Sequence, residues 1–346
     1  MPKEPIPVHI LTGFLGSGKT TVLNYLVHAP QFSKTFVIIN EFGEVGLDHL
    51  LVKSTSETMI EMSSGCICCT IRGDLRKTLK DIQGRFFRLG KRQFDRVVIE
   101  TTGLADPAPI IHTIMTSPKL AGDYELRSVI ATIDATCFAQ TQQEQFEARK
   151  QAAVADCLIM TKTDLIDGQQ RLQIEEIVRT VNPSAPLVTA VNGAVAIDTL
   201  FAIPPFSTLS KDADVKKWLD EEAYQGNHHD HHDHHHDVNR HGEGIAAFCI
   251  TREEPVPENG FMAWIEIVTK LMGEKMLRIK GIVNVEGYAG PIVIHGVQHI
   301  FYPLYQMEQW PDSDTRTRIV FITKGISKHS LETSLRSISV TKGETP

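Results

Sequence analysis

Two short stretches combine residue types and spacings that could do chemistry: residues 13–20 read GFLGSGKT, and residues 65–69 read GCICC. The first satisfies G-x-x-x-x-G-K-[ST], whose glycines let backbone N–H groups turn inward around phosphate oxygens. The helix expected to follow adds the partial positive charge of its N-terminus. Gly13, Gly16, Ser17, Gly18, Lys19, Thr20 and Thr21 are therefore the candidate phosphate-binding residues. Lys19 is expected to reach the β- and γ-phosphates and the Thr20 hydroxyl to ligate Mg²⁺. In the second stretch, Cys66, Cys68 and Cys69 stand too close together for a zinc ribbon, which needs two separated pairs. Three thiolates on one tight loop can instead occupy three corners of a tetrahedron, and soft sulfur favours Zn²⁺ or Cu(I) over Mg²⁺. The fourth ligand must come from elsewhere. The other readings are three small buried hydrophobes or a redox site.

Further candidates lie at the ends of apolar runs. Residues 96–103, RVVIETTG, end an apolar strand in Glu100, which can hold Mg²⁺ directly or through water. Gly103 can offer its N–H to a γ-phosphate, with residues 104–107 as the segment that moves. Residues 40–46, NEFGEVG, follow the second strand, so Glu41 or Glu44 is either the fourth ligand of the cysteine site, a contact to Mg²⁺, or part of an acidic surface turn. Residues 161–164, TKTD, fall where a base-reading loop is expected. A carboxylate at Asp164 accepts from both N1–H and the exocyclic amine of guanine, and adenine lacks that donor pair. The stem of Lys162 can cover the base. Thr161 stands where Asn is usual in this motif. Residues 228–237, HHDHHDHHHD, hold seven of the fifteen histidines and read as a tract binding several divalent transition-metal ions weakly. His112, His295 and His299 read as ordinary packed or surface histidines.

Positioning these groups takes a sheet. From residue 6 to about 206, β-branched apolar runs (8–12, 35–40, 96–101, 128–134, 157–161 and 187–190) alternate with helical segments (20–28, 74–89, 108–116, 140–155 and 168–181). That alternation predicts an α/β domain with a mostly parallel sheet and helices on both faces. Pro204-Pro205 ends the pattern, and residues 207–244 form a polar, His-rich linker. Residues 245–346 resume as a smaller α+β domain, with strands at 245–253, 278–287, 290–303 and 317–325 and helices at 258–272 and 327–337. The expected division is thus 1–206, 207–244 and 245–346.

Composition excludes several classes. With 42% hydrophobic and 22% charged residues the chain has globular composition, and its formal charge of −7 argues against nucleic-acid binding through a basic surface. No run of eighteen apolar residues and no signal peptide are read, so a cytoplasmic location away from membranes is expected. Six cysteines, three of them within four positions, do not form a disulfide framework.

Together, GFLGSGKTT, NEFGEVGLD, GCICC, VVIETTGLADPAPI, TKTD, the His-rich linker and LRIKGIVNVEG resemble the CobW family of P-loop GTPases, metal-trafficking proteins related to the nickel GTPases of urease and hydrogenase maturation. The resemblance spans nearly the whole chain, and GCICC is its most specific part. It implies a GTPase using GTP, Mg²⁺ and Zn²⁺, with Co²⁺ as the alternative ion; no arginine finger is readable in the sequence, so hydrolysis is expected to be slow without a partner. Carried over by motif, residues 13–21 bind phosphates, Lys19, Thr20, Glu100 and Gly103 serve the reaction, Lys162 and Asp164 bind the base, and Cys66, Cys68 and Cys69 bind the transition metal. Ile39 stands where some relatives have an acidic residue, so no auxiliary metal site is implied there. The implied partner is a metal-requiring client protein, and a homodimer is compatible with the resemblance. The rival readings are a GTPase for cobalt insertion in cobalamin biosynthesis and a His-tract metal reservoir.

Overall fold

The computed structural model describes residues 4–40, 59–61, 67–71, 74–88, 91–201 and 244–338. These fall into two compact units, one within 1–176 and 185–205, the other within 177–184 and 206–346. Glu41, Glu44, Cys66, Pro204-Pro205 and the histidine tract lie outside the described residues.

The first unit is built on an eight-stranded sheet. Its strands are β1 (Ile6–Gly13), β2 (Thr35–Asn40), β3 (Met59–Glu61), β4 (Ile67–Ile71), β7 (Arg96–Thr101), β8 (Tyr124–Asp134), β9 (Cys157–Thr161) and β10 (Leu187–Thr189). A separate hairpin pairs β5 (Phe87–Arg88) with β6 (Lys91–Arg92). The sheet order is β10-β9-β8-β1-β7-β2-β4-β3, and every pairing is parallel except β3 with β4. The helices are α1 (Lys19–His28), α2 (Leu75–Arg85), α3 (Ala108–Thr116), α4 (Phe138–Glu144), α5 (Phe146–Val154), α6 (Gly168–Val181) and α7 (Ile197–Phe201). Strands covered on both faces need apolar residues at every position rather than at alternate ones. β9 accordingly is buried throughout, and β1 nearly so. One core face packs Val22, Leu23 and Leu26 of α1 with Leu11, Val37, Val98, Ile130 and Ile159 of the strands. Each such side chain contributes roughly 1.5–3 kcal/mol on burial.

The six strands and the sheet type expected from the sequence are present. Three expectations need correction. The helix expected over 74–89 ends at Arg85, because the chain turns into the β5–β6 hairpin. The helix expected over 140–155 is two helices, parted at Gln145, whose backbone is extended (φ −120°, ψ 106°). No Gly or Pro marks that break, so it is a tertiary effect. Residues 67–71, expected as a tight loop carrying the thiolates, form strand β4, with Cys68 and Cys69 paired in register with Val37 and Ile38. ICCTI is composed of β-branched residues and small cysteines, and that is strand composition. Placing the cysteines on a loop hid it.

The second unit carries an antiparallel sheet. It comprises β11 (Ile245–Arg252), β12 (Met276–Val283), β13 (Ile292–Val297), β14 (Ile300–Phe301), β15 (Tyr305–Gln306) and β16 (Thr317–Lys324), in the order β11-β16-β12-β13-β14, with β15 also on β13. Its helices are α8 (Glu258–Met272) and α9 (Lys328–Arg336). Phe261, Trp264 and Val268 of α8 and Leu331 and Leu335 of α9 close one core with Ile279, Ile294, Ile319 and Phe321. The run expected as one strand over 290–303 folds back on itself at Gln298, which takes a left-handed φ of 54°. His295 is buried and stacked on Tyr302, and His112 and His299 are exposed, as expected of ordinary histidines. Among the described residues no helix is long and apolar enough to cross a membrane.

His9, on β1, makes stability pH-dependent. Its Nδ1 lies 2.7 Å from the Ser128 hydroxyl, its ring packs edge-on against Phe201 at 4.8 Å, and burial, with the charges of Arg96 and Arg127, lowers its pKa to about 3. The unfolded chain takes up this proton near pH 6.5 and the folded chain does not, so falling pH favours unfolding across that window. Stability is expected to be intact above pH 6.5 and to fall as pH drops from 6.5 towards 3, by on the order of 1 kcal/mol per pH unit from this residue. Urea titrations of wild type and His9→Phe at pH 7 and pH 5 measure the difference. Equal pH slopes in the two proteins would refute it.

Candidate nucleotide-binding site

The strand ends assemble the site. β1, β7, β8 and β9 are parallel neighbours, so their C-terminal ends share one edge of the sheet, where ligands of open α/β sheets bind. That edge carries Gly13, Glu100 with Thr101, Asp134 and Thr161.

From β1 the chain enters the loop with Gly13 at φ +142°, and Gly16 and Gly18 follow at +72° and +88°. Ser17 N–H donates to the Phe14 carbonyl at 3.1 Å, and the Ser17 and Thr132 hydroxyls meet at 2.6 Å, tying the loop to β8. α1 then starts at Lys19 with no side-chain cap on its N-terminus, which leaves first-turn N–H groups for an anion. Lys19 is buried, and its ammonium donates to the Gly13 carbonyl at 2.8 Å and the Phe14 carbonyl at 3.1 Å. Thr20 and Thr21 are exposed at the start of the helix. The Thr20 hydroxyl donates to Glu100 Oε1 at 3.2 Å, across eighty residues of sequence. Hydroxyl and carboxylate oxygens converging beside a phosphate loop are a hard donor set, and it fits Mg²⁺.

Beyond Glu100, Thr101 Oγ1 donates to Thr12 Oγ1 at 2.9 Å. Gly103 lies directly on the loop: a Cβ there would stand 2.8 Å from Leu15 N and 2.9 Å from its Cα. On the other flank, Lys162 takes a left-handed φ of 56°, and its Nζ reaches Asp134 Oδ2 at 2.5 Å. Burial alone would raise the Asp134 carboxyl, but hydrogen bonds from Lys162 and from the hydroxyl and N–H of Thr136 outweigh it and hold the pKa below the ordinary carboxylate value. Asp164 is exposed in the short 3-10 turn Thr163–Leu165.

Thr161, at the first position of TKTD, links that turn to the phosphate loop. Its buried hydroxyl shares its one proton between the Ser17 carbonyl at 2.8 Å and the Ile133 carbonyl at 3.0 Å, tying this turn to the phosphate loop. Thr161→Val keeps the volume and removes the donor. It is expected to destabilise the fold by about 1–3 kcal/mol, the usual range for buried carbonyls left unpaired. Chemical denaturation checks this, and a loss under half a kcal/mol would show the tie to be idle.

Sequence reasoning missed three groups: Asp134, Thr132 and Gln151, whose amide reaches the carbonyls of Gly103 and Ala105. Asp134 had a signal, an acidic residue ending an apolar strand, as Glu100 does. The other two carry no local signal.

On the metal side, the backbone alone places Cys68 and Cys69 on β4, and Cys66 lies outside the described residues. Register sets Leu11, Glu100, Ile39 and Thr70 in one row across β1, β7, β2 and β4. Thr70, the residue after Cys69, is thus two strand spacings, roughly 10 Å, from Glu100 in the backbone. Among the described residues no cluster of three or more His, Cys, Asp or Glu could hold a metal ion. Of the other cysteines, Cys157 is inert, since burial pushes its thiol up to about 12.

A phosphate loop, an acidic strand end beside it and a lysine–aspartate turn on one edge of a parallel sheet define a P-loop nucleotide-binding protein. Comparison with known proteins gives the particular kind. Residues 7–189 match the CobW/HypB/UreG nucleotide-binding domain, and residues 245–339 match the cobalamin synthesis protein cobW C-terminal domain. The chain belongs to the CobW family. It is 32% identical over 320 residues to the zinc chaperone YjiA of Escherichia coli K12, covering 92% of this chain and 94% of that protein. It is 25% identical to the zinc chaperone CobW of Pseudomonas aeruginosa, covering 96% and 91%. Its fold matches the crystal structure of the Zn(II)-bound YjiA GTPase from E. coli with a TM-score of 0.74 at 28% identity, covering 97% of this chain and 100% of that one.

Proposed function

We propose that this protein is a GTP-hydrolysing metallochaperone that binds Zn²⁺ through Cys66, Cys68 and Cys69 and passes it to a metal-requiring client in the cytoplasm. The observation that carries the reading is the register row joining Glu100 to Thr70, which puts the cysteine strand in the sheet that holds the phosphate loop. The names of the two zinc chaperones favour zinc over cobalt as the cargo.

In this reading Lys19 and the first-turn N–H groups of α1 hold the β- and γ-phosphates, and Lys162 and Asp164 hold guanine. Thr20 and Glu100 would hold Mg²⁺, which when bound neutralises phosphate charge. Gly103, in contact with Leu15, senses the third phosphate. Closing that contact on one side of β2 brings the three thiolates into ligand geometry, with Glu41 or Glu44 as candidates for the fourth ligand. Hydrolysis releases the contact and weakens the metal site. By linkage, zinc must then tighten GTP binding by the factor that GTP tightens zinc binding. Without a partner to supply an arginine, turnover is slow.

Zinc affinity, measured by competition in the presence of a GTP analogue, GDP or neither, tests the coupling. The analogue is expected to tighten zinc by about tenfold over GDP, a coupling within the usual range. Cys66→Ala is expected to abolish stoichiometric binding. Equal affinities in all three states would end the switch reading, and undiminished zinc binding by Cys66→Ala would end the cysteine site.

A further inference from the structure

The turn after β7 is gripped from its far side. Gln151 of α5 is buried, 2% exposed, and its Nε2 donates to the carbonyl oxygens of Gly103 at 3.1 Å and Ala105 at 3.0 Å. Its neighbour Lys150 donates to Asp106 Oδ2 at 2.7 Å. The other Asp106 oxygen accepts from Ala108 N–H at 3.1 Å and so ties the turn to the start of α3. Residues 103–106 are therefore held between the backbone of Leu15 on one side and one turn of α5 on the other.

The chemistry of the grip is specific. Two carbonyl acceptors need two N–H donors, and one amide NH₂ supplies both. A carboxylate at the same place would repel both oxygens, and an aliphatic side chain would leave them unpaired. The amide oxygen gains nothing in return: Gln151 Oε1 is buried with no hydrogen-bond partner among the described residues. Gln151 and Lys150 are also contiguous with the strand that carries Thr161, since α5 ends at Val154 and β9 begins at Cys157. One short helix thus connects the phosphate-sensing turn with the strand behind the base-reading loop.

We propose that Gln151 is a positioning residue for nucleotide hydrolysis. It holds the Gly103–Ala105 peptides against Leu15, so that the turn answers to the third phosphate of GTP and not to GDP. The inference rests on the reading of this protein as a GTPase.

The test uses the full chain and the variants Gln151→Leu, Gln151→Glu and Lys150→Met. Calorimetry gives affinities for GDP and a non-hydrolysable GTP analogue, and phosphate release gives kcat and KM. Gln151→Leu is expected to keep GDP affinity within about threefold while losing at least about tenfold both in the analogue-to-GDP affinity ratio and in kcat. Gln151→Glu is expected to fall at least as far. A merely structural role would weaken both nucleotides by one factor and leave their ratio unchanged, and that result overturns the proposal, as does a wild-type kcat in either Gln151 variant. Should Gln151→Leu fail to fold, the near-isosteric Gln151→Glu carries the same readouts, and an unchanged ratio there overturns the proposal equally; Lys150→Met leaves the Gln151 amide in place and is expected to lose less, and an equal loss there overturns the assignment to Gln151. A wild-type chain that hydrolyses no GTP sinks the GTPase reading itself, whereas normal hydrolysis by wild type and by Gln151→Leu sinks only the role of Gln151.

Discussion

Lys19→Ala is expected to bind GTP and GDP at least about a hundredfold more weakly than wild type, a loss near 2.7 kcal/mol. The ammonium is buried, and it already donates to two carbonyls of its own loop, Gly13 at 2.8 Å and Phe14 at 3.1 Å. It therefore stands within the loop, with little side-chain entropy left to lose on binding. Exchanging neutral carbonyls for phosphate oxygens turns hydrogen bonds charged on the donor alone into ion pairs charged on both sides, each contributing roughly 1.5–3 kcal/mol. Alanine loses them and leaves the phosphate charge to backbone dipoles and any bound Mg²⁺. The fold should tolerate the change, because the loop stays tied to its neighbours through Ser17–Thr132 and Thr161–Ser17. Calorimetric titration with both nucleotides measures the effect, and a loss smaller than about threefold would remove Lys19 from the binding machinery.

Gly13→Ala should produce the largest loss of stability, at least about 3 kcal/mol, from overpacking combined with an unfavourable backbone. The added Cβ would lie 2.2 Å from Thr132 Oγ1, 2.7 Å from Ser17 Oγ and 2.7 Å from the Thr132 carbonyl oxygen, at a φ of +142° that side chains seldom adopt. One obstacle is backbone of a central strand, and the other two are the hydroxyls that tie the loop to β8, so no small rotation relieves the contact. Gly16→Ala is the control: its φ is +72° but nothing lies within 4 Å of the added carbon, so only the left-handed penalty of about 1–2 kcal/mol applies. Urea denaturation of the two variants separates sterics from backbone preference. Similar losses in both would mean that the strand and loop separate easily at Gly13.

Much of the parallel sheet was legible because it is written locally. A strand buried on both faces must be apolar throughout, so runs such as VHILT, RVVIET and CLIMT identify themselves. The phosphate loop was legible for a related reason: its glycines, lysine and threonine are dictated by backbone conformation and charge within eight residues. What failed lacked a local signature. The break at Gln145 has no Gly or Pro, and β4 was concealed by cysteines placed on a loop. Of the proposed metal ligands, only the backbone of Cys68 and Cys69 falls within the described residues.

By itself the sequence determined the α/β sheet, the phosphate loop, the CobW resemblance and the candidate residues for phosphate, base and metal. Only the tertiary structure decided which of them meet. Thr20 and Glu100 are eighty residues apart and join because β1 and β7 are neighbours. Asp134 holds Lys162, Thr161 anchors Ser17, and Gln151 grips Gly103 across separations of 28, 144 and 48 residues. Those contacts depend on strand order and helix placement, which follow from burying the whole set of apolar faces at once, and no short stretch of chain encodes them.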